Sequence, residues 1–136
     1  MARTRHMIAL DTNIVVRLIV RDDEGQYASA RRLLDGECRL PWTVIVETGW
    51  ILEAVYRWPR QDIARAFEDL MTIATITVPD ENAMRWAIGR FAEGADFADM
   101  MHLASCDPAV REFVSFDQRL AGWAGDRTPI EVRLLR

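Results

Sequence analysis

The sequence predicts an α/β fold, a three-layer α/β/α sandwich around a central, mostly parallel sheet of about five short strands. Three observations predict it. Short apolar or β-branched runs alternate with longer segments of helical period, capping or breaking residues mark the joins, and helices come in pairs between strands. No internal repeat, low-complexity run or Gly/Ser linker divides the 136 residues, and 50% of them are hydrophobic, so one domain spanning 1–136 around a single core is expected.

Residues 1–6, with basic Arg3 and Arg5, read as an N-terminal extension, disordered or non-native, ahead of a natural start at Met7. Residues 7–10 form a short apolar strand ending at Asp11, and Thr12 and Asn13 supply capping groups for an apolar helix through Val20. A polar break at 22–25 precedes Tyr27, Ala30, Leu33 and Leu34 at helical spacing, closed by Gly36. Arg39 and Leu40 make a very short strand before Pro41. Thr43 then caps an apolar helix through Ile45, Val46, Trp50, Leu52 and Val55, in which Glu47 is the polar exception. Trp58 and Pro59 break it. Ile63, Ala66, Phe67, Leu70 and Met71 mark the next helix, followed by a β-branched stretch at 73–78. Pro79 and Asp80 start a helix with Ala83, Trp86, Ala87 and Phe91 on one face, ended by Gly94. Asp96 caps a helix over 97–106, which Pro108 stops. Residues 113–116 read as a buried strand followed directly by Asp117, and 130–134 make a last β-like segment.

Within the apolar stretch 8–20, Asp11, Asn13 and Arg17 argue against a membrane span or signal-peptide core, so a cytoplasmic protein with no membrane attachment is expected. Cys38 and Cys106 lack metal-type spacing and read as packing residues in a reducing compartment. The 21 acidic against 17 basic residues give a net charge of −4, the wrong sign for holding nucleic acid by bulk electrostatics. A carboxylate cluster loaded with divalent cations reverses that sign locally.

In such sheets, ligands sit outside the carboxyl ends of the strands. Asp11 ends the first strand and Asp117 ends the strand at 113–116, which sets both at one sheet edge. Asp99 lies in the first turn of its helix, where the positive helix end favours an ionised carboxylate. Glu47, on an otherwise apolar helix, would be costly to bury without a partner. Four converging carboxylates repel one another unless cations sit among them. With no His or Cys in the set the donors are hard oxygens, which favour Mg²⁺ or Mn²⁺. Such a site can activate water, aim it at phosphorus and stabilise the leaving oxygen. Each residue alone has a structural role open to it: Asp11 and Asp117 as caps, Asp96 and Asp99 as a D-x-x-D capping pair, Glu47 as an exposed helix residue. The joint pattern tips the balance toward chemistry.

Residues 10–18 (LDTNIVVRL), 44–52 (VIVETGWIL), 96–104 (DFADMMHLA) and 114–117 (VSFD), in this order and spacing, resemble the PIN-domain family and within it the VapC-type toxins. The resemblance covers nearly the whole chain. It implies that Asp11, Glu47, Asp99 and Asp117 form an acidic metal site that cleaves RNA, in the toxin of a type II toxin–antitoxin system. It also implies a homodimer, an antitoxin partner that wraps the toxin and blocks its site, and a higher-order complex of the two. Ser115 stands where the family often has threonine and keeps a hydroxyl able to orient a ligand or water. Asn13, by the same resemblance, orients Asp11 or a metal-bound water.

Other residues are weighed more lightly. His102, one turn beyond Asp99, could carry a proton, but a hydrogen-bonded structural histidine is favoured. Asp96 could add an outer ligand to its capping role. Arg17 could reach a phosphate, with a solvated helix-face role favoured. Trp42, Trp50, Trp58, Trp86 and Trp123 could stack bases if exposed, although core or dimer packing is the default. Competing readings are a non-catalytic PIN-fold interaction module and a metal-dependent DNA nuclease. A phospho-acceptor receiver needs a late lysine, and the chain contains none.

Overall fold

A computed structural model describes residues 6–136, so that the expected N-terminal extension lies, up to residue 5, outside the described residues. Among the described residues are seven helices and five strands, falling into two compact units, one running to Pro79 and the other from Asp80 to Arg136.

The first unit runs β1 (Ile8–Ala9), α1 (Thr12–Val20), α2 (Glu24–Leu33), β2 (Cys38–Arg39), α3 (Trp42–Ala54), α4 (Arg60–Met71) and β3 (Ile76–Thr77). The strands form one parallel sheet in the order β1-β2-β3, with Ile8 opposite Cys38 and Cys38 opposite Ile76. Parallel neighbours need helical crossovers, and the helical segments of the sequence supply them. Val15, Val16 and Leu18 bury one face of α1, Ile45 and Leu52 one face of α3, and Ile63 and Phe67 one face of α4. These alternate at the spacing that puts apolar residues on one side of a helix.

Two caps differ from expectation. Asp11, not Thr12 or Asn13, is the N-cap of α1: its backbone is extended and its Oδ1 accepts the Thr12 N–H at 2.8 Å. Helix α3 starts after Pro41 with no side-chain cap, and Thr43 falls inside its first turn. Pro41 is fixed at a φ suited to the residue ahead of a helix, which starts α3 at Trp42, one residue before Thr43. The strand expected over 73–78 shrinks to Ile76–Thr77, because Ile73 still donates to Leu70 and Ile76 donates to Ile73 in the turn that leaves α4.

The second unit contains α5 (Glu81–Ala92), α6 (Phe97–Ala104), β4 (Glu112–Ser115), α7 (Leu120–Ala124) and β5 (Glu131–Leu134). Strands β4 and β5 pair in parallel from Glu112 opposite Glu131 to Ser115 opposite Leu134. Phe91 and Phe97 pack with ring centroids 4.8 Å apart across the α5–α6 corner, which Gly94 turns at φ 117°. The strand expected to be buried at 113–116 is half-exposed, with Phe113 and Ser115 partly covered, Val114 and Phe116 exposed, and Phe116 at 73%. Helix α7 was not expected. It is five residues long, too short for a periodic signal, and is held by buried Leu120 and Ala124.

All five strands are parallel and helices accompany them, giving the expected α/β architecture. The hydrogen-bonded ladder is divided, however, with three strands in one sheet and two in another. Among the described residues no helix is long and apolar enough to cross a membrane.

Candidate active site

In the first unit the parallel track continues one residue past β1, where the Leu10 N–H donates to the Arg39 carbonyl at 3.1 Å. Asp11 is thus the residue at which the chain leaves the sheet and enters α1. Capping holds its carboxylate at the N-terminal end of the helix. Glu47 projects from α3 and is exposed, so the burial penalty anticipated for it does not arise. Asp11 and Glu47 line one cleft of about 300 Å³, together with Asn13, Arg17 and Tyr56. Asn13 lines the same cleft as Asp11. Arg17 is not a solvated arm. Its side chain is 25% exposed, one guanidinium nitrogen pairs with Asp22, and another donates to the Tyr56 hydroxyl at 3.1 Å. Tyr56 escaped the sequence reading, because nothing in local periodicity connects it with a residue 39 positions earlier.

In the second unit Asp96 caps α6, its Oδ1 accepting the Asp99 N–H at 2.9 Å. That bond fixes the first turn on which Asp99 stands. Partial burial pushes the Asp99 carboxyl up from its usual range, the negative charges of Asp96 and Asp117 push it further, and His102 opposes them. Asp99 therefore feels the charges of Asp96, His102 and Asp117. His102 is exposed rather than enclosed. Asp117 sits in a tight turn after β4: its N–H donates to Ser115 Oγ at 3.0 Å, and its Oδ1 accepts from the Arg119 N–H at 2.9 Å. The Ser115 hydroxyl thus fixes the Asp117 backbone by accepting one bond, and its own O–H is left to donate. The capping roles open to Asp11 and Asp96 are realised, whereas Asp117 closes a turn ahead of α7, whose N-cap is Arg119; each of the three leaves carboxylate oxygen capacity for a further partner.

The donor chemistry suits a divalent metal ion. Asp11 and Glu47 share a cleft, and Asp99 carries a disfavoured negative charge beside two like charges, which a cation would relieve. Among the described residues no group of three or more His, Cys, Asp or Glu stands close enough to hold an ion between them.

Parallel strands leading into helices, with carboxylates where strands end, define an α/β protein with acidic side chains at its strand ends. The PIN domain family matches residues 8–125, and the chain belongs to that family. PIN domains are generally metal-dependent nucleases. No curated protein matches the chain.

Proposed function

We propose that this protein is the toxin component of a type II toxin–antitoxin system, an endoribonuclease of the VapC type that hydrolyses RNA phosphodiester bonds with Mg²⁺ or Mn²⁺. The observation that carries the reading is the placement of the four acids within a PIN-family chain: Asp11 and Glu47 in one cleft, Asp99 and Asp117 within electrostatic reach of each other. The family match, from residue 8 to residue 125, takes in residues of both compact units.

Asp11, Glu47, Asp99 and Asp117 would hold the ions. A divalent cation there supplies Lewis-acid stabilisation for attack of water on phosphorus and for the leaving oxygen. The chain's own part is to hold the carboxylates still: the start of α1 fixes Asp11, the Asp96 cap fixes the turn bearing Asp99, and Ser115 fixes Asp117. No side-chain nucleophile is needed. Trp50, 64% exposed on α3, and exposed Val55 just beyond it offer apolar surface for a second copy, in keeping with a homodimer. An antitoxin that covers the acidic cleft completes the system, and a cytoplasmic location is part of the same reading.

Purified protein with Mn²⁺ is expected to cut RNA, and its expression to arrest growth, with Asp11→Asn relieving the arrest. No cleavage by the wild type, together with undiminished arrest by Asp11→Asn, would overturn the reading. A second reading, a non-catalytic interaction module, is favoured by the lack of a three-ligand cluster among the described residues. Calorimetry with Mn²⁺ separates the two, since the module predicts no ion binding.

A further inference from the structure

Arg17 stands between two clefts of the first unit. On one side is the cleft of Asp11 and Glu47, and among the described residues lining it Arg17 carries the one positive charge. On the other is a cleft of about 530 Å³ between α1 and α2, whose lining includes Gln26, Ser29 and Leu33. Asn13 and Arg17 line both, so the two clefts adjoin at these side chains. The guanidinium is held at two points, by Asp22 and by the Tyr56 hydroxyl, which leaves three of its five N–H donors to be used. A planar fork anchored in this way suits a phosphate, because little further freedom is lost when it binds. Beyond it, Gln26 and Ser29 offer an amide and a hydroxyl beside the apolar Leu33, a mixture that suits the edge and face of a nucleobase.

We infer that Arg17 clasps a backbone phosphate of single-stranded RNA and that the α1–α2 cleft takes the base attached to it, next to the bond held over Asp11 and Glu47. The inference rests on the nuclease reading and adds to it the strand's path and a source of base preference. Tyr56 acts as a positioning residue through Arg17.

The test is fluorescence anisotropy with end-labelled oligo(U) and oligo(A) RNA, with and without Ca²⁺, over a salt series. Arg17→Met is expected to weaken binding about tenfold and to lower the slope of log affinity against log salt by about 0.7. Arg17→Lys restores the slope but not the full affinity. Ser29→Trp, on an exposed position of α2, fills the cleft, weakens binding and narrows the difference between the two RNAs while the melting temperature holds. If Arg17→Met and Ser29→Trp bind as the wild type does, with the slope unchanged, while the wild type cuts RNA with Mn²⁺, the subsite is wrong and the nuclease reading stands. A wild type that neither binds nor cuts RNA removes both.

Discussion

Replacing Asp11 by Ala and by Asn separates the two tasks of its carboxylate, starting α1 and carrying charge into the cleft. The starting task is one hydrogen bond, 2.8 Å from Oδ1 to the Thr12 N–H, at an exposed helix start. Losing such a cap costs about 1 kcal/mol. For a chain of 136 residues this lowers the melting temperature by about 4 °C. Asn keeps an oxygen in the same place and should melt within about 1 °C of the wild type. The charge task is lost in both variants. Residues that merely support a metal ligand are worth about 10–100-fold, so loss of a ligand should lower cleavage by at least about 100-fold. Calorimetric melts and cleavage of RNA with Mn²⁺ read the two tasks independently. The reasoning is refuted if Asn melts as low as Ala, or if Asp11→Asn cleaves within about twofold of the wild type, a difference too small for a lost ligand.

Asp96→Ala should cost about 1 kcal/mol through loss of the bond to the Asp99 N–H, and Asp96→Asn much less, as read by urea titration. Gly94→Ala should cost about 2 kcal/mol or more, since φ 117° disfavours a side chain and the added Cβ would lie 3.2 Å from the Trp123 ring; melting checks it. Cys38 is 0% exposed, so a thiol reagent should label Cys106 in the native protein and reach Cys38 only on unfolding, as peptide mass mapping would show. Burial, with a smaller push from Glu37, raises the Cys38 pKa. Between the unfolded and folded values the native state therefore holds the extra proton, and stability falls as pH rises through that alkaline interval. Replacing Cys38 by Ala should flatten this part of the stability curve, whatever it does to the absolute stability.

Helix existence was legible because its signals are local. Asp96 and Gly94 punctuate α6 and α5 where the sequence placed them, and the apolar spacing of α4 reappears in its buried face. Strand length was less legible. A β-branched run such as 73–78 satisfies propensity along its whole length, yet parallel pairing holds just Ile76 and Thr77. The half-exposure of β4 was hidden because an apolar run does not reveal whether both faces are covered. At the site, residue types and positions could be read from strand ends and helix starts. The partners could not: Ser115 beneath Asp117 is two residues away and could have been found from turn chemistry, whereas Tyr56 on Arg17 depends on the packing of α1 beside the end of α3.

Glu47 gives the most direct test of the claim that carboxylates at these positions serve metal-dependent RNA cleavage, because it is exposed and lines the cleft without capping a helix. The measurement is RNA cleavage by wild type and Glu47→Gln, with Mn²⁺ and with EDTA, alongside their melts. The expected result is cleavage by the wild type that EDTA abolishes, and a Gln variant that melts like the wild type yet has lost at least about 100-fold in rate. Undiminished cleavage by Glu47→Gln, or cleavage that persists in EDTA, would contradict it.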